Sequence, residues 1–421
     1  MIKESIEKSV IKALQKLGVE SPTVSLEHPD LLSHGDYATN VALAYAKQLG
    51  VNPRVLAEKI LAGLNESKSN GDLKLVAKMD IAGPGFINFH LPPDFFADSL
   101  SEIKKAGANF GGSAHMKGLK ALVEYTDPNP FKEFHIGHLM SNAIGESLSR
   151  IIQFHGAETK RACYQGDVGM HVAKAIWTGL KGKTPDSASA WGKAYAVGAE
   201  AYEGDPKSKT EIEEINRKIY DRSDEKINEI YDEGRKVCLD YFEVIYQKLG
   251  TKFDYYFFES QTGVFGQQIV QEFLKKGVFE KSDGAIVFPG EKHGLHTRVF
   301  INSQGLPTYE AKELGLAKLK HDIYSYDFSA VITGNEVNEY FKVILCAMAL
   351  VFPDLAKKTK HASHGMLRFA SGKMSSRTGN VITGESLLVD MEEMVAEKIK
   401  DRGFDAKTTK EVVEKVAIGA I

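Results

Sequence analysis

The feature that most constrains this chain is the stretch over residues 119–152, where prolines separate two segments of different periodicity. Residues 119–125 form a short, mostly apolar segment, which is typical of a buried β-strand. Asp127-Pro128-Asn129-Pro130 follows, and its two prolines exclude both a helix and a central strand. After His138 the apolar residues recur at helical spacing. The sequence therefore predicts a strand, a loop and a helix, in that order.

The motif His135-Ile136-Gly137-His138 stands where the predicted helix begins. A helix N-terminus presents unpaired N–H groups and the positive end of its dipole, which suits a phosphate ligand. Gly137 carries no side chain, so a nucleotide base or ribose can approach the backbone, and both histidines can donate hydrogen bonds to oxygen. Since two histidines near a helix start are more often structural than catalytic, this segment alone leaves the function open.

A second polar segment lies far downstream, at residues 371–380, and contains Lys373-Met374-Ser375. Taken alone, it is typical of a solvated basic loop. The two segments occur in this order with a long α/β stretch between them, and together they resemble the HIGH and KMSKS signatures of class I aminoacyl-tRNA synthetases. The pair is much more specific than either segment alone.

The resemblance narrows to the arginyl-tRNA synthetases. Glu124-Tyr125-Thr126-Asp127-Pro128-Asn129, followed by Phe134 and the histidine motif, is similar to this family's form of the first signature. Gly166-Asp167-Val168-Gly169 resembles the family's loop after the second strand, and residues 306–317 resemble its arginine-recognition helix. The likeness extends from near the N-terminus to the last residue.

The order of strands and helices predicts an α/β catalytic domain with a doubly wound, Rossmann-like parallel sheet, preceded by a small α+β domain. Ligands of such sheets bind at the carboxyl ends of the strands, where the histidine motif and the Asp167 loop both fall. By resemblance, residues 1–107 form an additional tRNA-binding domain that contacts the tRNA elbow. Residues 119–400 form the catalytic domain, with a connective insertion and linking elements over 181–300. Residues 405–421 are expected to be the start of a truncated helical anticodon-binding domain, most or all of which this chain lacks.

Periodicity and turn signals predict the individual elements. Helices are expected over residues 2–17, 34–50, 309–320, 336–351, 384–399 and 408–421, from residue 53 onward, and within 211–249. Strands are expected over residues 74–81, 86–91, 159–165, 253–258, 285–288, 298–301, 328–333 and 364–369.

Composition sets further bounds on the class of protein. The 421 residues allow about three domains, and the formal net charge of −3 does not by itself indicate nucleic-acid binding. The three widely spaced cysteines, Cys163, Cys238 and Cys346, predict neither a disulfide framework nor a metal site. The N-terminus has no apolar signal region, and the longest apolar run, residues 343–352, is too short to span a bilayer. We expect a cytoplasmic enzyme that does not enter a membrane.

The resemblance also implies roles for single residues. ATP is expected to contact His135, Gly137, His138, Lys373, Met374 and Ser375, and the catalytic residues are expected to be Lys132, His135, His138 and Lys373. L-Arginine is expected to contact Glu124, Asn129, Tyr309, Glu313 and Glu336, and tRNA to contact Asp36, Tyr37 and Asn40. Ser376 and Arg377 stand where the signature has its second lysine and last serine, and Lys132 matches a lysine thought to compensate. Much of the family has aspartate at the position of Glu313 and glutamine at that of Glu336.

The implied reaction joins the carboxylate of L-arginine to the α-phosphate of ATP and then transfers the arginyl group to tRNA(Arg). ATP with Mg²⁺ is expected as substrate, with no tightly bound cofactor, and the enzyme is expected to act as a monomer. Two alternatives stay open on the sequence. One is another HIGH-type nucleotidyltransferase that makes a different adenylate, and the other is a non-catalytic tRNA-binding paralogue.

Overall fold

The computed structural model describes residues 2–365 and 383–421, and the chain divides into two compact units, Met1–Gly111 and Gly112–Ile421. The described residues of the first unit form four helices and three strands. The helices are α1 (Ile2–Lys16), α2 (Val41–Leu49), α3 (Pro53–Ser69) and α4 (Pro93–Ala106), and the strands are β1 (Tyr37–Thr39), β2 (Lys78–Ala82) and β3 (Phe86–His90). The strands make an antiparallel sheet in the order β1-β3-β2.

Local sequence signals explain part of this unit. Asn52 caps α3, because its side chain accepts a hydrogen bond from the N–H of Arg54 at 2.9 Å, and Pro53 occupies the first helical turn. The prediction of a helix from residue 34 is wrong, because Tyr37–Thr39 is strand β1 and α2 begins only at Val41. Backbone pairing of β1 with β3 overrides the local helical pattern.

The second unit contains a five-stranded parallel sheet and a separate three-stranded antiparallel sheet. Its strands are β4 (Lys120–Glu124), β5 (Glu158–Gln165), β6 (Tyr255–Phe258), β7 (Glu280–Ser282), β8 (Ala285–Phe288), β9 (Arg298–Ile301), β10 (Phe328–Gly334) and β11 (Thr359–His364). The parallel sheet has the order β11-β10-β4-β5-β6, and β7-β8-β9 form the antiparallel sheet. The predicted doubly wound parallel sheet is confirmed.

Helices connect and cover these strands. They are α5 (Ile136–Phe154), α6 (Met170–Lys181), α7 (Ala188–Gly204), α8 (Pro206–Asp221), α9 (Glu225–Leu249), α10 (Glu259–Lys275), α11 (Tyr309–Ile323), α12 (Asn338–Val351), α13 (Pro353–Lys358), α14 (Gly384–Ile399) and α15 (Ala406–Ala420). The helical stretch expected within 211–249 is two helices, and it is interrupted at Arg222, whose φ of 56° is left-handed. We call α7, α8 and α9 the helical insertion.

One strand prediction is displaced along the chain. The strand expected over residues 364–369 is β11, which ends at His364, and residues 366–369 lie outside the described residues. The helix expected over residues 336–351 is α12, which ends at Val351, and Pro353 then begins α13. These differences leave the order of the sheet strands unchanged.

The sheet order determines where a ligand can bind. From β4 the chain proceeds outward through β5 to β6, and it then returns to add β10 and β11 on the other side of β4. The order of winding therefore reverses between β4 and β10, and a crevice opens there at the carboxyl ends of the strands. The loop that follows β4 leads directly into α5 and lies at this reversal.

Helix α5 packs closely on the residue after β4. A Cβ atom on Gly145 would lie 2.2 Å from Cγ of Tyr125, which is fully buried. The hydroxyl of Tyr125 donates to Glu146 at 2.5 Å, and Glu146 also accepts from Arg161 on β5 at 2.8 Å. The missing side chain at Gly145 is what allows this helix to approach the sheet.

We predict that Gly145→Ala lowers the free energy of unfolding by about 1–3 kcal/mol, because the added methyl group overlaps a buried ring that cannot move aside. Chemical denaturation measures the change. Gly419→Ala is the matched control, since no described heavy atom lies within 4 Å of the place its methyl group would occupy, and it should be neutral or slightly stabilising. Equal stability of the two variants would contradict the close approach of α5.

Candidate active site

The loop between β4 and α5 holds an unusual backbone conformation. Thr126, Asp127 and Phe131 have positive φ angles of 81°, 47° and 66°, which residues other than glycine rarely adopt. Neighbouring elements stabilise the strained residues. The carboxylate of Asp127 accepts the N–H of Tyr164 on β5 at 2.7 Å, and the N–H of Phe131 donates to Sγ of Cys238 on α9 at 3.2 Å. The loop is therefore fixed before any ligand arrives.

The two histidines of the motif stack on each other at the start of α5. His135 is the N-cap residue, and its ring centroid lies 3.6 Å from that of His138 with 16° between the planes. The backbone N–H of His135 donates to Nδ1 of His138 at 3.2 Å, so the proton of a neutral His138 ring is on Nε2. A Cβ atom on Gly137 would lie 3.0 Å from the His135 ring, so the glycine also makes room for this stack.

Both histidines are neutral at pH 7. Burial, with the nearby charge of Lys132, lowers the pKa of His135 to about 4. Burial also lowers the pKa of His138 well below its usual value, and the charges of His135 and Lys132 act in the same direction. The pair can therefore donate hydrogen bonds to a phosphate from two neutral rings, but it does not bring two positive charges to that phosphate.

A crevice of about 590 Å³ opens at the carboxyl ends of β4, β5 and β10. Eight of the residues predicted from sequence line it, and they are Glu124, Asn129, His135, Gly137, His138, Tyr309, Glu313 and Glu336. Lys132 is not among the lining residues, although its charge acts on both histidines. Lys373, Met374 and Ser375 lie outside the described residues.

The crevice is rich in carboxylates, and three of the six have a resident cation. Glu124 accepts from Nζ of Lys320 at 2.8 Å in a pair that is almost completely buried. Glu259 accepts from Nζ of Lys312 at 2.5 Å in a second buried pair. Burial alone would lower the pKa of Lys320 and of Lys312, but pairing with the carboxylates outweighs it and raises both pKa values.

A third ion pair also lines the crevice. Nη1 of Arg298 on β9 donates to Glu310 at 3.0 Å, and the guanidinium carbon lies 5.4 Å from the ring centroid of Tyr340 on α12. Three resident cations thus neutralise three carboxylates. None of the three cations was predicted from the sequence, although Lys320 follows Glu313 by seven residues, a spacing that places both on the same face of the predicted helix.

Glu313 differs from these carboxylates because it has no hydrogen bond or ion pair within the described part of the chain. Burial, with the nearby negative charge of Glu124, raises the pKa of Glu313 to about 8. Burial and the charge of Glu124 also raise the pKa of Asp127 well above its usual value. Glu313 is therefore mostly protonated at pH 7, and a cation bound beside it would favour its charged form.

The loop after β5 brings Asn129 into the crevice. A Cβ atom on Gly166 would lie 2.1 Å from Oδ1 of Asn129, so only glycine leaves space for this amide. The next residue, Asp167, is fully buried and accepts from Ser260 at 2.7 Å and from Arg235 at 2.8 Å. Asp167 therefore ties the loop to α10 and α9 and has a structural part in forming the site.

The three residues expected to contact tRNA lie in the first unit and differ in accessibility. The carboxylate of Asp36 accepts the N–H of Leu91 at 2.7 Å, so it holds the backbone of this unit together. The ring of Tyr37 lies 4.5 Å from that of His28 and is half-buried. Asn40 is exposed and lines a separate crevice of about 550 Å³, which makes it the most accessible of the three.

Two simple exclusions apply to the described chain. Within residues 2–365 and 383–421, no cluster of three or more His, Cys, Asp or Glu side chains is placed to hold a metal ion. Among these same residues, no helix combines the length and apolarity needed to cross a membrane.

Comparison with known families gives a consistent result. A model described as tRNA synthetases class I (R), catalytic domain, matches residues 101–421, and one described as the arginyl tRNA synthetase N terminal domain matches residues 2–91. The arginine–tRNA ligase of Clostridium acetobutylicum is 28% identical over 417 residues, which cover 98% of this chain and 72% of that protein. The arginine–tRNA ligase of Treponema denticola is 27% identical, covering 94% of this chain and 69% of that protein.

Solved structures share the fold. The arginyl-tRNA synthetase of Thermus thermophilus superposes with a TM-score of 0.69 at 21% identity, covering 100% of this chain and 74% of that one. The arginyl-tRNA synthetase of Plasmodium falciparum gives a TM-score of 0.67 at 19% identity, covering 99% and 71%.

We predict that Lys320→Met destabilises the protein by about 3–5 kcal/mol, because it leaves Glu124 charged and buried without a partner. Adding Glu124→Gln should restore much of the loss. Lys318→Met on the same helix is the control, since Lys318 pairs with Asp322 at the surface and should change stability little. Equal losses for Lys320→Met and Lys318→Met in urea denaturation would contradict the importance of the buried pair.

Proposed function

The chain belongs to the arginyl family of class I tRNA synthetases, and from this premise we propose how its residues carry out arginine–tRNA ligation. The reaction uses ATP to activate L-arginine as arginyl-adenylate, transfers the arginyl group to the 3′ end of tRNA(Arg), and releases AMP and pyrophosphate. The family match is to the arginyl members, and nothing in it favours a nucleotidyltransferase for a different acid.

Activation of arginine requires positioning rather than a general base. The carboxylate of the amino acid is already ionised, so the enzyme must align it with the α-phosphate and neutralise the charge that develops. We assign His135 and His138 to hydrogen bonds with the phosphate oxygens of ATP. The neutral state of both rings and their place at the start of α5 support this assignment.

The remaining nucleotide contacts follow from the family resemblance. Gly137 is assigned to the approach of the nucleotide to the backbone, and Lys373, Met374 and Ser375 to contacts with ATP. Lys132 is assigned as the cation that neutralises phosphate charge in place of the missing second signature lysine. ATP is proposed to enter with Mg²⁺ as part of the substrate, and the ion supplies further positive charge to the phosphates.

The observation that carries arginine recognition is the balance of charges in the crevice. Glu124, Glu259 and Glu310 each have a resident cation. Of the other lining carboxylates, Asp127 accepts a backbone N–H and Glu336 is exposed, whereas Glu313 has no hydrogen bond or ion pair among the described residues. A guanidinium group can form two parallel hydrogen bonds with a carboxylate, which an ammonium group cannot reproduce. We therefore assign Glu313 to the guanidinium of L-arginine, with Tyr309 beside it on α11.

The other residues assigned to arginine also line this crevice. Asn129 is assigned to the amino group of the substrate, with help from Glu336, which is exposed at the edge of the crevice. Glu124 has one carboxylate oxygen bonded to Lys320, so its contribution to the substrate is through its second oxygen and through its shape.

We also propose the domain roles that the resemblance implies. Residues 1–107 serve as an additional tRNA-binding domain with Asp36, Tyr37 and Asn40, and residues 119–400 form the catalytic domain. By the same resemblance, the enzyme is proposed to act as a monomer in the cytoplasm, where the reaction serves translation.

Arginine affinity should rise with pH between 6 and 8. Binding the guanidinium stabilises ionised Glu313, so below its free pKa of about 8 each binding event releases a proton. Well below pH 8 the affinity should increase about tenfold per pH unit and then level off. Isothermal titration in buffers of different ionisation enthalpy measures both the affinity for arginine and the number of protons released on binding. Glu313→Gln should bind arginine weakly and without pH dependence; a wild-type affinity that is flat from pH 6 to 8 would exclude this role.

Pyrophosphate exchange into ATP tests the function as a whole. Exchange is expected with arginine and tRNA(Arg) present, and not with lysine or citrulline in place of arginine. Glu313→Gln should raise the KM for arginine far more than the KM for ATP, because it removes a charged pair. An absence of exchange under all these conditions, while arginine and ATP still bind, would favour a non-catalytic tRNA-binding paralogue.

A further inference from the structure

The loop that carries Lys132 is held by the helical insertion. Phe131 is fully buried, and its ring meets that of Trp191 on α7 edge to face at 5.0 Å. A Cβ atom on Gly234 of α9 would lie 2.5 Å from the Phe131 ring. The left-handed backbone of Phe131 is therefore maintained by two helices that lie about 60 to 100 residues further along the chain.

Helix α7 contacts the loop on the other side of Lys132 as well. A Cβ atom on Gly192 would lie 2.5 Å from Cγ of Glu133, so the helix backbone passes directly over this residue. Trp191 and Gly192 thus contact the residues that come before and after Lys132. The backbone of Lys132 has little freedom to move while α7 is in place.

The next turn of α7 brings an aromatic ring to the Lys132 side chain itself. Nζ of Lys132 lies 4.9 Å from the ring centroid of Tyr195, which is only 8% exposed. Tyr195 also lies close enough to the crevice residue Tyr309 to influence its ionisation. The charge of Lys132 in turn acts on His135 and His138. The ammonium group is therefore held within electrostatic reach of His135 and His138, which form the end of the crevice assigned to the nucleotide.

A lysine side chain has high rotamer entropy, so an unrestrained ammonium group is seldom in the right place for catalysis. Ordering such a chain costs rotamer entropy, and a cation–π contact contributes a favourable free energy that is larger when the contact is desolvated. The two magnitudes are comparable. A buried aromatic face at this distance can hence offset most of the entropy lost by fixing the ammonium group.

We propose that Tyr195 is a positioning residue for Lys132, and that its ring face holds the ammonium group ready for the phosphates of ATP. This rests on the proposed role of Lys132 in activation. The helical insertion then has a direct effect on the rate of arginine activation, through Tyr195, Trp191 and Gly192. No part of this requires Tyr195 to touch a substrate.

The test compares variants of the full chain in pyrophosphate exchange. Tyr195→Leu should lower kcat about five- to thirtyfold, because a contact of about 1–2 kcal/mol is lost in the transition state. Tyr195→Phe keeps the ring face and should stay within about twofold of the wild type. The KM for arginine should not change in either variant. In a Lys132→Ala background, Tyr195→Leu should have no further effect on kcat.

Two controls separate positioning from packing. Tyr202→Leu removes another tyrosine of α7 whose ring lies 4.2 Å from Nζ of Lys174, and it should leave exchange unchanged. Incorporation of phenylalanine with increasing numbers of ring fluorines at position 195 keeps the shape while weakening the negative ring face. kcat should fall stepwise along this series, even if Tyr195→Leu does not fold.

The outcomes are distinct. Additive effects of Tyr195→Leu and Lys132→Ala, or a kcat that does not respond to fluorination, would overturn the positioning role. Tyr195→Phe as damaging as Tyr195→Leu would also overturn it, because the hydroxyl rather than the ring face would then be responsible. A wild-type chain without exchange activity would instead reject the proposed function on which this inference rests.

Discussion

The buried ion pair between Glu124 and Lys320 joins the end of the central strand to α11, and the layout of the crevice depends on it. Both groups are almost completely buried, so neither can be removed without leaving the other charged in a poor solvent. The pair holds α11 against the sheet, and α11 presents Tyr309 and Glu313 to the crevice. An interaction within the core thereby helps to place the buried, unpaired carboxylate of Glu313 where a substrate can reach it.

Local sequence patterns predicted those helices and strands whose formation depends mainly on neighbouring residues. The strand, proline loop and helix around residues 119–152 were predicted correctly because the apolar period changes there within a few residues. Strand β1 was missed because three residues are too few for a period, and β3, which pairs with it, lies about fifty residues away. Strand β11 was displaced because it is the edge strand and is largely exposed, so no apolar run marks it.

The candidate site, like the fold, was predictable only where local sequence motifs mark it. Motifs identified eight residues that line one crevice, since a motif records which side chains face the ligand. They did not identify Lys312 or Lys320, which lie 53 and 196 residues from the carboxylates they neutralise. Such pairs follow from tertiary packing, and a lysine on a helix is read from sequence as solvent-exposed. The protonation state of Glu313 depends on these hidden partners and could not be inferred from the sequence.

A reaction that works by alignment and charge neutralisation needs rigid surroundings more than a reactive side chain. The β4–α5 loop meets this need with three left-handed residues, each costing about 1–3 kcal/mol, and neighbouring elements stabilise them. Burial that keeps His135 and His138 neutral also removes two positive charges from the nucleotide end of the crevice. A separate cation must then supply that charge, and the contacts of α7 with both neighbours of Lys132 connect its placement to the helical insertion.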